Sequence, residues 1–154
     1  MDGIARAKGD ELTARVSVLF HLLGFATWDI GLTEGEFPDV IAYPSSSDWI
    51  LTIECSSKSD EITRKLMKLA SRTRQIGTGL SDISVIPLYF TNLRKNAIIA
   101  SDFDTAATER ISMITLEDLN EFKKWSIPQQ TPKRSEPIFC KEFQVTNLTR
   151  SEDC

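Results

Sequence analysis

The chain has 154 residues, of which 41% are hydrophobic and 26% charged, and its formal net charge is −4. This length and composition are typical of one globular domain with its own core. The acidic balance argues against a protein that coats nucleic acids through bulk charge, although it leaves room for a local basic surface. The three cysteines are far apart and predict neither a disulfide framework nor a metal site. Because the sequence shows no secretory leader pattern and no run of about 18 apolar residues, we expect a cytoplasmic protein without a membrane segment.

The first half of the chain predicts one helix followed by three strands. Apolar residues recur at helical spacing over about 8–23, and Gly24 ends that pattern. Strand-forming residues then dominate three short segments, at 27–32, 39–43 and 49–54. The turn-forming sequence Pro-Ser-Ser-Ser-Asp separates the last two segments, which predicts a β-hairpin.

The second half alternates helices and strands before its character changes. We predict a helix over about 60–75, a strand covered on both faces over 84–90, a helix over 96–100, a strand over 111–114 and a helix over 116–125. Beyond residue 127, prolines interrupt every periodic pattern. We therefore divide the chain into a domain over 1–127 and an irregular tail over 128–154, which would form a late strand or an arm that binds a protein partner.

The predicted hairpin brings two acidic residues together. Side chains alternate between the faces of a strand, so Asp39 shares a face with Tyr43, and Glu54 shares a face with Ile50. If the turn pairs Tyr43 with Ile50, Asp39 lies directly opposite Glu54, with Cβ atoms about 4.5–5.5 Å apart. Two ionised carboxylates that close repel each other, and a divalent cation removes the conflict. A register shift of one residue would separate the two acids, and the alternative interpretation is that each acid simply ends a strand.

These residues, together with others in the same order, resemble the PD-(D/E)xK nuclease superfamily, and within it the Mrr-type restriction endonucleases and the archaeal Holliday-junction resolvases. The resemblance covers about 8–119 and rests on Lys-Gly-Asp-Glu at 8–11, Phe-Pro-Asp-Val-Ile-Ala at 37–42 and Leu-Thr-Ile-Glu-Cys at 51–55. It implies a restriction-endonuclease-like α/β fold, in which a mixed central β-sheet is flanked by helices around an αβββαβ core.

The resemblance also implies a chemistry and a partner. Asp39 and Glu54 would bind Mg²⁺ or Mn²⁺, and Glu11 would extend the ligand set from the first helix. The metal would activate water for hydrolysis of a phosphodiester bond in duplex or branched DNA. Because dimers are common in the resembled branches, the resemblance also implies a homodimer.

The sequence departs from the superfamily at the position of its lysine, two residues after the second acid, where this chain has Ser56. A neutral hydroxyl cannot supply the positive charge that stabilises the attacking hydroxide or the pentacovalent phosphate. Lys65 on the predicted basic helix is the favoured replacement, followed by Lys58 and then Lys68. If none of these lysines serves, the chain is a catalytically inactive module that binds nucleic acid or a nucleotide, or scaffolds an assembly.

A local excess of positive charge lies between residues 58 and 74, where six basic residues accompany two acidic ones. A helix that makes several phosphate contacts binds DNA in a salt-dependent way. The residues that we expect to contact nucleic acid are Arg64, Lys68, Arg72 and Arg74. The alternative interpretation of these charges is a solvated helix face.

Overall fold

The computed structural model describes residues 2–29, 37–44 and 48–119. The strands in these ranges are β1 (Phe25–Trp28), β2 (Val40–Pro44), β3 (Trp49–Ser56), β4 (Ser84–Thr91) and β5 (Ser112–Ile114). They form one sheet in that order, in which β1, β2 and β3 are antiparallel neighbours, and β3, β4 and β5 are parallel. The sheet is therefore mixed.

Helices cover both faces of the sheet. They are α1 (Asp2–Arg6), α2 (Asp10–Leu22), α3 (Ile62–Gly79) and α4 (Ala100–Thr108), with 3₁₀ turns at Ser59–Glu61 and Lys95–Ala97. The α3 helix connects β3 to β4, and α4 connects β4 to β5, as parallel neighbours require a crossover. Among the described residues, no helix combines the length and the apolar character that a membrane span needs.

The sheet separates two hydrophobic cores. One cluster joins α1 and α2 to the sheet face that carries Val40, Ile53 and Cys55. The other cluster joins α3 and α4 to the opposite face, which carries Tyr89. Because side chains alternate along a strand, Glu54 lies between two residues of the first core and projects toward α3.

The register of the hairpin confirms the predicted pairing. Val40 pairs with Ile53, and Ala42 pairs with Leu51. One step beyond the first of these pairs, Asp39 lies opposite Glu54. The sequence left a shift of one residue open, because both strands carry apolar side chains on both faces, and the structure shows the register that brings the two acids together.

Most of the other predicted elements are confirmed with shifted bounds. The helices predicted over 8–23 and 60–75 correspond to α2 and α3, and the strands predicted over 84–90 and 111–114 correspond to β4 and β5. The first predicted strand, over 27–32, begins two residues earlier, because Gly24 adopts a φ of +94° and ends the helix there. This strand ends at Trp28, and residues 30–32 of the prediction lie outside the described residues.

Three predictions about the second half need correction or lie outside the described residues. The β4 strand is buried only in its second half, since Ile86 is 39% exposed. The helix predicted over 96–100 is a 3₁₀ turn followed by α4. Because α4 buries only Asp102 and Ala106, its sequence lacks the helical spacing of apolar residues that would have predicted it. Residues 116–119 are helical, whereas the rest of the helix predicted over 116–125 and the tail over 128–154 lie outside the described residues.

Candidate active site

The two acidic residues of the hairpin lie at the point where β3 approaches α3. The backbone N–H of Cys55 donates a hydrogen bond of 2.8 Å to Oδ2 of Asp39, which fixes the carboxylate against the neighbouring strand. Glu54 follows the core residue Ile53, and its side chain is only 2% exposed. A buried carboxylate needs partners of opposite charge or hydrogen-bond donors.

Lys65 of α3 is one of these partners and touches both acids. Its Nζ lies 3.1 Å from Oε1 of Glu54 and 3.7 Å from Oδ2 of Asp39. The same Nζ donates a 2.6 Å hydrogen bond to the backbone carbonyl of Cys55. The side chain of Lys65 is 18% exposed, so this cluster lies at the edge of the interior.

Arg72, two helical turns beyond Lys65, is the second partner of Glu54. Its Nη1 donates a hydrogen bond of 2.9 Å to Oε2, and the arginine side chain is 7% exposed. Residues seven apart lie on nearly the same face of a helix, which is why both cations of α3 reach one carboxylate. We predicted that Arg72 contacts nucleic acid, but the structure places it inside the protein, where it holds Glu54.

The electrostatics of the cluster follow from burial and proximity. Burial raises the pKa of Glu54 and the nearby charge of Asp39 raises it further, while Lys65 and Arg72 oppose the shift. Burial on its own would lower the pKa of Lys65, but the carboxylates of Glu54 and Asp39 outweigh it and raise that pKa. Lys65 is therefore a firmly protonated ammonium group.

Ser56, at the position of the superfamily lysine, takes no part in this charge cluster. It is buried, and its hydroxyl accepts a 3.1 Å hydrogen bond from the backbone N–H of Lys58. Tyr89 pairs with Glu54 in the β3–β4 register, and its buried hydroxyl lies near that of Ser56. Burial raises the pKa of Tyr89, and the hydroxyl of Ser56 opposes that shift. Ser56 therefore makes local hydrogen bonds and supplies no charge.

The structure does not bring Glu11 into the same group. Glu11 lies on the exposed side of α2 and forms an ion pair of 2.7 Å with Arg15, one turn later. Within the described ranges, no three His, Cys, Asp or Glu side chains lie close enough together to hold a metal ion. The role of Glu11 as a third carboxylate ligand thus stays a prediction.

The remaining basic residues of the segment lie away from the two acids. Lys58 is exposed and contacts Glu61 at 3.1 Å, so it differs from Lys65 in its surroundings. Arg64 lies 3.7 Å from the same carboxylate and is also exposed. Arg74 forms an exposed ion pair with Glu109, while Lys68 is half-buried and has no ion pair among the described residues. Neighbouring carboxylates therefore offset much of the local positive charge.

Two features of the site were missed in the sequence, namely the carbonyl of Cys55 and the role of Arg72. A backbone carbonyl carries no side-chain signal, so only coordinates reveal that it faces Lys65. The spacing of Lys65 and Arg72 was visible, and their shared helix face would have indicated a common partner. The thiol of Cys55 itself is buried, and burial together with Asp39 raises its pKa well above the usual value, so it is no nucleophile.

Comparison with known proteins supports the fold and leaves the family open. No family model matches the chain, and no curated protein matches its sequence. Among solved structures, the chain is similar to the small subunit of the heterodimeric restriction endonuclease R.BspD6I. The TM-score is 0.60 at 15% identity, and the match covers 88% of this chain and 77% of that subunit. The chain therefore has a restriction-endonuclease-like α/β fold.

Proposed function

We propose that the chain is a metal-dependent endonuclease that hydrolyses phosphodiester bonds in DNA, and that Lys65 replaces the lysine missing at Ser56. The observation that carries this proposal is the position of the Lys65 ammonium group, which lies within 4 Å of both Glu54 and Asp39. A positive charge fixed beside two carboxylates is the component that the sequence of β3 lacks. The similarity in fold to a restriction endonuclease subunit gives independent support.

The donor atoms of the site suit a hard divalent cation. The carboxylates of Asp39 and Glu54 and the carbonyl oxygen of Cys55 all contact one point in space, which Lys65 Nζ occupies. Mg²⁺ prefers oxygen ligands and commonly binds one or two carboxylates while it keeps several waters. A bound Mg²⁺ or Mn²⁺ would polarise a phosphoryl oxygen and lower the pKa of a coordinated water.

The protein's own residues would position these groups. Arg72 holds one oxygen of Glu54, and the N–H of Cys55 holds one oxygen of Asp39, so neither acid can rotate freely. The ammonium group of Lys65 would donate to the attacking oxygen or to the phosphate as charge develops there. Lys68, farther along α3, would contact the DNA backbone together with Arg64 and Arg74.

The test is cleavage of plasmid DNA and of a branched junction in the presence of Mg²⁺ or Mn²⁺. We expect Asp39→Asn, Glu54→Gln and Lys65→Met each to lower the rate by about 10²–10³, the usual effect of losing one electrostatic contact to the transition state. Lys58→Met is the matched control, because it removes an exposed lysine of the same segment that contacts only Glu61. Full activity in the Lys65→Met protein, with loss in Lys58→Met, would reverse the roles of the two lysines.

A second candidate function is a catalytically inactive module that binds nucleic acid or a nucleotide, or scaffolds an assembly. It is favoured by the two cations of α3, since the charges of Lys65 and Arg72 together balance those of Asp39 and Glu54. DNA binding without cleavage, unchanged by Mg²⁺ or Mn²⁺, would support this alternative over the endonuclease.

We further propose that the chain acts as an oligomer, because one active centre cuts one strand at a time and two centres would cut both strands of a duplex together. The solved structure described above is the small subunit of a heterodimer, and for this chain we propose a homodimer or a complex with a protein that binds the tail over 128–154. Sedimentation equilibrium of the full chain, alone and with a short duplex, measures the stoichiometry. A monomer under both conditions would refute the proposed homodimer.

A further inference from the structure

Three oxygen atoms, one each from Asp39, Glu54 and Cys55, converge on the side-chain nitrogen of Lys65. Nζ of Lys65 lies 2.6 Å from the carbonyl oxygen of Cys55, 3.1 Å from Oε1 of Glu54 and 3.7 Å from Oδ2 of Asp39. The second oxygen of Glu54 binds Arg72, and Oδ2 of Asp39 also accepts the N–H of Cys55. The oxygens that face Lys65 are therefore the same ones that would face a metal ion.

An ammonium group and a divalent cation cannot share such a position. Both need the same acceptor oxygens, and like charges that close repel each other strongly in a poorly solvated site. The side chain of Lys65 is attached through a flexible chain of four carbons and is 18% exposed, so it can withdraw toward solvent without moving α3. Arg72 and the N–H of Cys55 would keep the two acids in place after Lys65 has left.

We propose that the ammonium group of Lys65 and a divalent cation are alternative occupants of one position, so that a metal ion binds between Asp39 and Glu54 only after Lys65 has withdrawn. The inference rests on the metal site of the proposed function, but it concerns binding and not cleavage. It gives Lys65 two opposing effects: the side chain weakens metal binding, and once displaced it stands beside the site, where it can contact a phosphate.

The first experiment measures Mn²⁺ binding to the full chain at one fixed pH, by the electron paramagnetic resonance signal of free Mn²⁺. If Lys65 vacates the position in fewer than about one molecule in ten, Lys65→Met should bind Mn²⁺ at least about tenfold more tightly than the unmodified protein. Lys95→Met is the control, since Lys95 is an exposed lysine that pairs with Asp118 and with neither Asp39 nor Glu54, and the Mn²⁺ affinity of this variant should not change. Equal or weaker binding by Lys65→Met would overturn the inference.

The second experiment uses the unmodified protein and so does not depend on how a variant folds. Amine acylation followed by mass spectrometry reports how accessible each lysine is, with exposed Lys58 as the internal reference. Saturating Mn²⁺ should increase the labelling of Lys65 several-fold relative to Lys58, because the metal displaces the ammonium group from its three oxygens. Labelling of Lys65 that stays constant or falls while Mn²⁺ binds would contradict the exchange.

The two proposals fail in different ways. Tighter Mn²⁺ binding by Lys65→Met without any DNA cleavage would support the exchange at Lys65 and refute the endonuclease proposal. DNA cleavage by the unmodified protein, with equal Mn²⁺ affinity in that protein and in Lys65→Met, would support the endonuclease proposal and refute the exchange.

Discussion

Replacement of Arg72 by Met tests whether the buried ion pair organises the site. The change keeps an unbranched apolar side chain of similar reach but removes the hydrogen bond of 2.9 Å to Glu54. Glu54 is 2% exposed and cannot turn to water, so its charge would lose a buried partner. We therefore expect a large loss of stability from this one substitution.

The magnitude follows from the burial of both partners. Removing one member of a buried ion pair costs about 3–5 kcal/mol. Lys65 still lies 3.1 Å from the other oxygen of Glu54, so the lower end of that range applies, about 3 kcal/mol. For a chain of this size, each kcal/mol lowers the melting temperature by about 2–4 °C, which predicts a fall of about 6–12 °C. Arg74→Met is the control: its ion pair with Glu109 is exposed and should contribute less than about 1 kcal/mol.

The pH dependence of this loss identifies its cause. Burial already raises the pKa of Glu54, and removal of Arg72 should raise it more. A carboxyl group whose pKa is raised by folding favours the folded state below the unfolded pKa, and this advantage is lost as the pH rises through the folded pKa. The stability difference between Arg72→Met and the unmodified protein should therefore be small near pH 4, below the ordinary glutamate pKa of 4.5, and large near pH 8, as measured by urea unfolding.

A double variant completes the test. Glu54→Gln in the Arg72→Met background removes the uncompensated charge, so the double variant should be more stable at pH 8 than Arg72→Met alone. If Arg72→Met loses less than about 1 kcal/mol, or if its loss is the same at both pH values, the pair does not organise the site as we describe.

Two further predictions concern the local structure that frames the sheet. Asp118→Ala removes the acceptor for the N–H and the hydroxyl of Thr115, at 2.9 and 2.7 Å, and should cost about 1 kcal/mol of unfolding free energy in urea. Burial alone would raise the pKa of Asp118, but the hydrogen bonds from Thr115 outweigh it and lower that pKa. The stability that Asp118 contributes should therefore be present above its unfolded pKa and vanish as the pH falls through the folded pKa. A stability difference between Asp118→Ala and the unmodified protein that is unchanged at pH 2 would contradict this. Gly24→Ala places a side chain at a φ of +94°, which should cost about 1 kcal/mol or more in thermal unfolding, whereas Gly79→Ala at the end of α3 has open space, no positive φ and should be tolerated.

The sequence by itself predicted the hairpin and offered the register that sets Asp39 opposite Glu54 as one of two possibilities. The turn-forming residues between two strand-forming segments are a local signal, whereas the register was decided by the pairing of the strands in the folded sheet. The helical spacing over about 60–75 was equally informative, since α3 lies there and Thr73 of this helix bonds to Thr52 of the sheet. These features depend on periods of two and 3.6 residues, which are properties of the local chain.

Only the tertiary structure decided which cations meet those acids. Lys65, Lys68 and Arg72 all flank the apolar stripe of α3, and the rotation of the helix on the sheet selects Lys65 and Arg72 for the interior. That rotation is fixed by how the whole of α3 packs against β3, β4 and α4, and no local period encodes it. Glu11 stays on the exposed side of α2 beside Arg15, because α2 covers the sheet face opposite to the one that α3 covers.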